Sequence, residues 1–282
     1  NPTSPNSDQP SYRALGSRDM TDFDPWSVLT PVQAEVARRF LAEREREHQH
    51  LVIYLSGAHA YGFPSPDSDL DLKCIHITPT ANLLGLLPAV APSDRLETIE
   101  GVELDYGSNE LAPVLRGVLR GNGNFIERIL GDLALGGDLS LLAEARAVVK
   151  PVLCRRVARH YGGFALSQLR LFDQKPSAKR ALYVLRTAAT GRHLLAHGEL
   201  VTDVARLAEF VPAEIEELLA IKRRGETQQL EPDHAKQWRS RLSAAIEGID
   251  SAWSSSVLPV EPSVEAVAAL DAWLRDVRRR CW

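Results

Sequence analysis

Asp69 and Asp71 stand two residues apart in Ser68-Asp69-Leu70-Asp71-Leu72, a stretch whose alternation reads as a strand over 69–77. In an extended chain, side chains two apart project from one face, so the two carboxylates lie together with their backbones roughly 6.5–7 Å apart. Leu70 and Leu72 point the other way, into a core. Carboxylates at this spacing converge on a hard cation, and Mg²⁺ favours carboxylates shared with substrate phosphates over a closed protein cage. Upstream, Ser56-Gly57-Ala58 ends the apolar run 51–55. A strand, a glycine turn and a short helical turn expose backbone N–H groups that suit phosphate oxygens. An anion beside two carboxylates needs a metal between them, so the halves make sense together only with a polyphosphate and a metal. Alone, an Asp-x-Asp is more often a turn or a solvated strand edge; the preceding strand, the Ser-Gly break and Ser65-Pro66-Asp67-Ser68 give it weight.

The run Leu55-Ser56-Gly57-Ala58-His59-Ala60-Tyr61-Gly62, followed by Ser65-Pro66-Asp67-Ser68-Asp69-Leu70-Asp71-Leu72, resembles the signature of DNA polymerase beta-type nucleotidyltransferases. It is most similar to the bacterial and phage predicted nucleotidyltransferase branch, some members of which accompany RNA-repair genes. The second motif residue here is Ala58 rather than Ser, which removes a hydroxyl contact to the γ-phosphate and leaves the backbone donors. The resemblance implies a third carboxylate on a later strand. Gly101-Val102-Glu103-Leu104-Asp105-Tyr106 offers Glu103 and Asp105 on one face. Asp105 is favoured, because Ser108-Asn109-Glu110-Leu111 then opens a helix as in this branch; Glu103 is the alternative. The resemblance further implies two Mg²⁺ ions, with Mn²⁺ as a substitute, and a nucleoside triphosphate as substrate. Asp69 and Asp71 would hold the metal on the triphosphate. Those two and Asp105 would hold the second metal, with Asp105 nearest the attacking hydroxyl.

Phosphate contacts are expected from Ser56, Gly57, Ala58, His59 and Ser68. His59 either faces the phosphates or caps the short helical turn, Asp67 shapes its own turn, and Cys74 reads as a small core residue. A helix over 177–197 places Lys179, Tyr183, Arg186, Thr190 and His193 on one face, opposite Leu182, Leu185 and Ala189. That polar face is either a solvated surface or the lining of a nucleotide cleft, in which Lys179 and Arg186 would meet phosphates. Arg116, Arg120, Asn122 and Asn124 are candidates to meet an acceptor. The expected reaction moves a nucleoside monophosphate to an acceptor hydroxyl with release of pyrophosphate, the acceptor being an RNA 3′ end. The alternatives are a small-molecule or protein acceptor, or a non-catalytic, antitoxin-like binding module.

The elements that must position these groups follow from periodicity. Residues 1–22 are rich in Pro, Ser, Asn and Asp and read as a disordered tail. Pro31 opens a helix, 95–106 reads as one or two strands broken at Glu100-Gly101, and the helical period begins at 108. From 138 onward the pattern is helical, over 138–148, 152–173, 177–197, 201–210, 212–223, 232–254 and 263–280. The expected architecture is α+β: a small mixed β-sheet nucleotidyltransferase domain flanked by helices over 23–137, then an all-α domain over 138–282. Of the 282 residues, 44% are hydrophobic and 25% charged, an ordinary globular composition. The net charge of -4 advertises no global nucleic-acid field, yet permits contact with one RNA end. The three widely spaced cysteines fit a reducing, cytoplasmic setting and offer no zinc spacing. No apolar run is long enough for a membrane span. The chain opens without a signal core or an initiator Met, as a piece of a longer protein would.

Overall fold

The computed structural model describes residues 23–86, 93–225 and 229–282. The expected tail over 1–22 lies outside the described residues. Helix α1 (Pro31–Arg44) starts where Thr30 and Gln33 exchange side-chain and backbone hydrogen bonds, with Pro31 in the first turn. Strand β1 (Gln49–Leu55) is apolar and buried through its length after Gln49. A single turn of helix, α2 (Gly57–Ala60), leads through the 61–69 turn into β2 (Leu70–Ile77). The sequence from Pro79 to residue 87 reads as a short helix; the structure has α3 over Thr80–Leu83, and residue 87 lies outside the described residues.

Strands β3 (Ser93–Ile99) and β4 (Val102–Glu110) form a hairpin. Glu100 and Gly101 at its tip both take positive φ, 51° and 79°, the turn geometry that matches the twist of paired strands. Strand β4 continues to Glu110, two residues past the expected onset of helix, because its pairing with β2 carries on to His76↔Glu110. Helices α4 (Leu111–Leu119) and α5 (Gly123–Leu130) follow, then a short β5 (Ala134–Gly136). The sheet order is β3-β4-β2-β1-β5, with β2 and β4 parallel and the other neighbours antiparallel. The mixed sheet of an α+β fold is therefore present. Neither α5 nor β5 is among the elements expected from the sequence.

After Gly136 the described chain is helical: α6 (Leu139–Val149), α7 (Val157–Gln174), α8 (Ala178–His197), α9 (Ile215–Arg223), α10 (Pro232–Ser254) and α11 (Val264–Arg280). Two of the expected helices differ. Residues 201–210 make two 3-10 turns, Val204–Arg206 and Ala208–Phe210, and α7 begins five residues later than 152 because Pro151 and a 3-10 turn precede it. One buried apolar cluster runs from α1 and the sheet through to Val277 of α11. Helix α11 returns to the sheet's end, where Arg278 donates to the Thr78 carbonyl at 3.1 Å and pairs with Glu110, while Thr80 donates to the Arg278 carbonyl at 2.6 Å. Among the described residues, no helix is long and apolar enough to cross a membrane.

Candidate active site

The parallel pairing of β2 with β4 sets Asp71 directly opposite Asp105. Directly paired residues share a sheet face, so these carboxylates stand side by side on neighbouring strands. Asp69 lies just before β2, half-buried. The backbone amide of Ser56 donates to the Asp71 carbonyl at 2.8 Å, which ties the Ser-Gly turn to the acidic strand. Gly57 sits at φ 64°, and a Cβ there would lie 1.8 Å from Asp71 Oδ2. Only glycine lets the carboxylate lie against this backbone. Burial first, then the neighbouring charge of Asp69, with Asp105 adding less, pushes the Asp71 carboxyl up to about 6; Lys73 and Lys179 pull against them. A carboxylate held by the fold against its own ionisation and flanked by two others is suited to a divalent cation. In that sense the residues fit the expected metal. Among the described residues, however, no three carboxylate, thiol or imidazole side chains are placed as they stand to hold a metal ion together. Asp105 instead pairs with Lys73, whose Nζ lies 2.6 Å from its Oδ1.

A cleft opens over Asp71 between the sheet and the helices. Ser56 and Gly57 line one side, Lys73 lies alongside, and Asn124, Glu127 and Arg128 of α5 face them. Tyr61 and Tyr183 close the helical side, their rings 5.7 Å apart and perpendicular. The Arg128 guanidinium donates to Asn109 Oδ1 at 2.5 Å and to the Cys74 carbonyl at 3.3 Å, so it stands over β2 and β4.

The residues expected to touch phosphate divide into two groups. Ser56 and Gly57 line the cleft, and Lys179 is close enough to act on Asp71. Ala58, His59, Ser68 and Arg186 are buried and do not line it. Ser68 Oγ accepts from the Ser65 amide at 2.9 Å and meets buried Lys222 of α9 at 3.4 Å, so it shapes the turn ahead of Asp69. Burial holds the His59 imidazole down at about 4, opposed by Asp69 and reinforced by Lys222. Arg186 donates to Glu127 Oε1 at 2.8 Å and lies 3.5 Å over the Tyr61 ring. It holds the wall of the cleft rather than facing into it. On the same helix Thr190 is buried, and His193 bonds the Glu199 carbonyl at 3.0 Å. Glu103 is exposed and pairs with Thr98 of β3. Arg116, Arg120 and Asn124 are exposed, while Asn122 caps α5.

Lys73, Glu127 and Arg128 were not among the expected site residues. Lys73 follows the two aspartates at the same period of two, so strand alternation carries it to their face. Glu127 and Arg128 went unseen with α5 itself, whose cap at Asn122 and apolar Ile126, Ile129 and Leu130 are its sequence signal.

A two-carboxylate face beside a glycine turn, on a small mixed sheet backed by helices, is the class of site the motif implies. Residues 34–276, most of the chain, match RlaP, the RNA repair pathway DNA polymerase beta family, and the chain belongs to that family of polymerase beta-type nucleotidyltransferases. It is 31% identical over 101 residues to the uncharacterized protein MJ0002 of Methanocaldococcus jannaschii, a match covering 35% of this chain and 41% of that relative's length. A nucleotidyltransferase-like protein from Exiguobacterium sibiricum 255-15 aligns with a TM-score of 0.31 at 12% identity, over 87% of this chain and 79% of that one. At that score the likeness adds nothing to the fold described above.

Proposed function

We propose that the chain transfers a nucleoside monophosphate from a nucleoside triphosphate to the 3′ hydroxyl of an RNA, with Asp69, Asp71 and Asp105 as its metal-holding carboxylates. The observation that carries this reading is the contact of Asp71 with Gly57 while Asp105 stands beside it in register. Asp69 and Asp71 would hold the cation bound to the triphosphate, and Asp105 would lie nearest the acceptor. When bound, two Mg²⁺ ions, or Mn²⁺ in their place, supply Lewis-acid stabilisation to the leaving pyrophosphate and favour loss of the hydroxyl proton. The acceptor oxygen would bond the α-phosphorus, the bond from the α-phosphorus to the bridging oxygen would break so that pyrophosphate leaves, and the hydroxyl proton would pass to an Asp105 carboxylate oxygen.

The other residues orient and exclude. Lys179 and Arg128 supply positive charge for the triphosphate, Arg128 taking the place expected of buried Arg186. Ser56 and Gly57 offer backbone to the phosphates, and Tyr61 and Tyr183 give an aromatic wall beside them. The family name, with its RNA repair pathway, favours RNA as acceptor. Exposed Arg116 on α4 and Arg120 just past its end, ahead of Asn124 in the cleft, suit a phosphate backbone entering there.

The test is transfer from α-labelled triphosphates, with Mg²⁺, to RNA carrying either a free 3′ hydroxyl or a 3′ phosphate. The expected result is label on the free 3′ end alone, with uptake by RNA reduced in Arg116→Glu plus Arg120→Glu. Label on a protein or a small molecule, with none on RNA, would replace RNA as the acceptor. No transfer to any acceptor would favour a binding module that keeps the fold without the reaction.

A further inference from the structure

The Lys73–Asp105 pair stands where the proposed reaction needs a cation, and the residues around it supply a second place for the lysine. Lys73 and Asp105 are neighbours on paired strands, and the ammonium reaches Asp105 Oδ1 at 2.6 Å. Beside Asp105 on β4, Gly107 pairs with Lys73 on one side and with Asp94 of β3 on the other. A Cβ at Gly107 would lie 2.9 Å from Asp94 Oδ1 and 3.8 Å from Lys73 Nζ. The absent side chain thus leaves Asp94 and the lysine facing each other over bare backbone. A lysine ammonium is a compact charge on a flexible stem, able to pivot between two carboxylates without moving the strand.

We propose that Lys73 is a positioning residue that acts as an exchangeable counter-ion: it neutralises Asp105 in the metal-free protein, then moves over Gly107 to Asp94 when the second divalent cation takes Asp105. This rests on the two-metal reading above and adds to it an order of events. Without a counter-charge, Asp71 and Asp105 would face each other as like charges in a half-buried cleft. With Lys73 held on Asp105, the acceptor-side cation site is closed until a triphosphate brings charge enough to displace the ammonium. No covalent step is involved, and the net exchange is one cation for another on Asp105. Asp94 keeps the displaced ammonium paired, which lowers the cost of releasing it. Arg128 lies near enough to feel the Asp94 charge, so a fixed cation stands near the lysine's second partner.

The experiment is Mn²⁺ titration of the full chain, followed by the electron paramagnetic resonance signal of free Mn²⁺, with and without a non-hydrolysable triphosphate analogue. The variants are Lys73→Met, Asp94→Asn and the double substitution, with Lys73→Gln as a polar replacement should the Met variant fold poorly. The expected result is that either Lys73 variant binds Mn²⁺ without nucleotide about two- to fivefold more tightly than the wild type, the size of one competing, partly exposed ion pair removed. Asp94→Asn is expected to weaken binding several-fold in the wild type and to have no effect once Lys73 is gone, because Asp94 acts only through the lysine. Unchanged or weaker Mn²⁺ binding in both Lys73 variants would overturn the exchange. Equal weakening by Asp94→Asn in the double variant would make Asp94 a metal ligand and overturn its role as the lysine's second partner. Wild-type protein that takes up no Mn²⁺ even with the analogue would overturn the two-metal reading itself. Two ions bound with the analogue, but no lysine effect, would sink only the exchange.

Discussion

Gly57 is the residue on which the geometry of the site turns. Its positive φ is one reason for glycine, and the nearness of Asp71 Oδ2 is the other, the more exacting one. Gly57→Ala must displace either the backbone or the carboxylate. The strained backbone costs about 1–3 kcal/mol, and transfer activity is expected to fall ~10²-fold or more as the carboxylate shifts. Thermal denaturation and transfer rate, measured together, separate the two. Loss of activity well beyond the loss of stability is the expected outcome, and unchanged activity would remove Gly57 from the site. The motif and the strand period single out Ser56-Gly57, Asp69 and Asp71 in sequence, whereas the period leaves Glu103 level with Asp105 and only the resemblance favours Asp105. The contact between Gly57 and Asp71 was not legible, because it depends on how β1 and β2 pair. Nor was the pairing of Lys73 with Asp105, which requires knowing that β2 and β4 run parallel in that register.

At the scale of elements, α5 and α8 form the wall of the cleft and are joined by a buried ion pair. Arg186 and Glu127 are almost wholly buried, their charges 2.8 Å apart, and Tyr161 donates to the same Glu127 oxygen at 3.2 Å. Removing one partner leaves a charge without compensation in the interior. Arg186→Met is therefore expected to destabilise the fold by about 3–5 kcal/mol, read by denaturant unfolding. Combining it with Glu127→Gln should recover part of that loss, and a simple sum of the two single effects would contradict the pairing. The helical period placed Arg186 on the same face as Tyr183 and Lys179, and that face does turn toward the cleft. Periodicity could not show that Glu127 of α5 and the Tyr61 ring meet the middle of this face at Arg186, since α5 was itself unread. The 201–210 segment was misjudged for a related reason. Its apolar Val201, Val204, Leu207 and Phe210 recur every three residues, the period of a 3-10 turn rather than of an α-helix, and Asp203 caps the first such turn.

Across the whole molecule, the sheet and the helices share one core, and α11 ties the end of the chain back to the strands. Near that seam lie two buried histidines, His76 at 2.8 Å from Ser108 Oγ and His50 at 2.9 Å from Tyr106 OH. Burial, then the nearby His48, lowers both imidazoles from 6.5 to about 4; His76 lowers His50 further, and Glu110 and Arg278 act on His76 in opposite directions. A base whose folded value is depressed contributes stability that is present in full above its unfolded value and is lost as pH falls. Thermal stability should therefore decline between pH 6.5 and about 4, by on the order of 1–3 kcal/mol per histidine. Asp71 works in the opposite direction, its raised carboxyl relaxing as it takes up a proton. Replacing both histidines with Gln should flatten the decline in a melting series. An equal decline in that variant would place the acid sensitivity elsewhere.

The α+β class was legible because the strand period before residue 108 differs from the helical period after it. The continuity of the core across that change was not, since no local pattern reports which faces meet. The account as a whole rests on the carboxylate face over Gly57, and one measurement addresses it most directly: the rate of label transfer to RNA 3′ hydroxyls by wild type and by Asp71→Asn, at saturating Mg²⁺. The account predicts transfer coupled to pyrophosphate release in the wild type, and a loss of ~10²–10³-fold or more in the variant with the fold intact by circular dichroism. Transfer that persists at the wild-type rate in Asp71→Asn would contradict it.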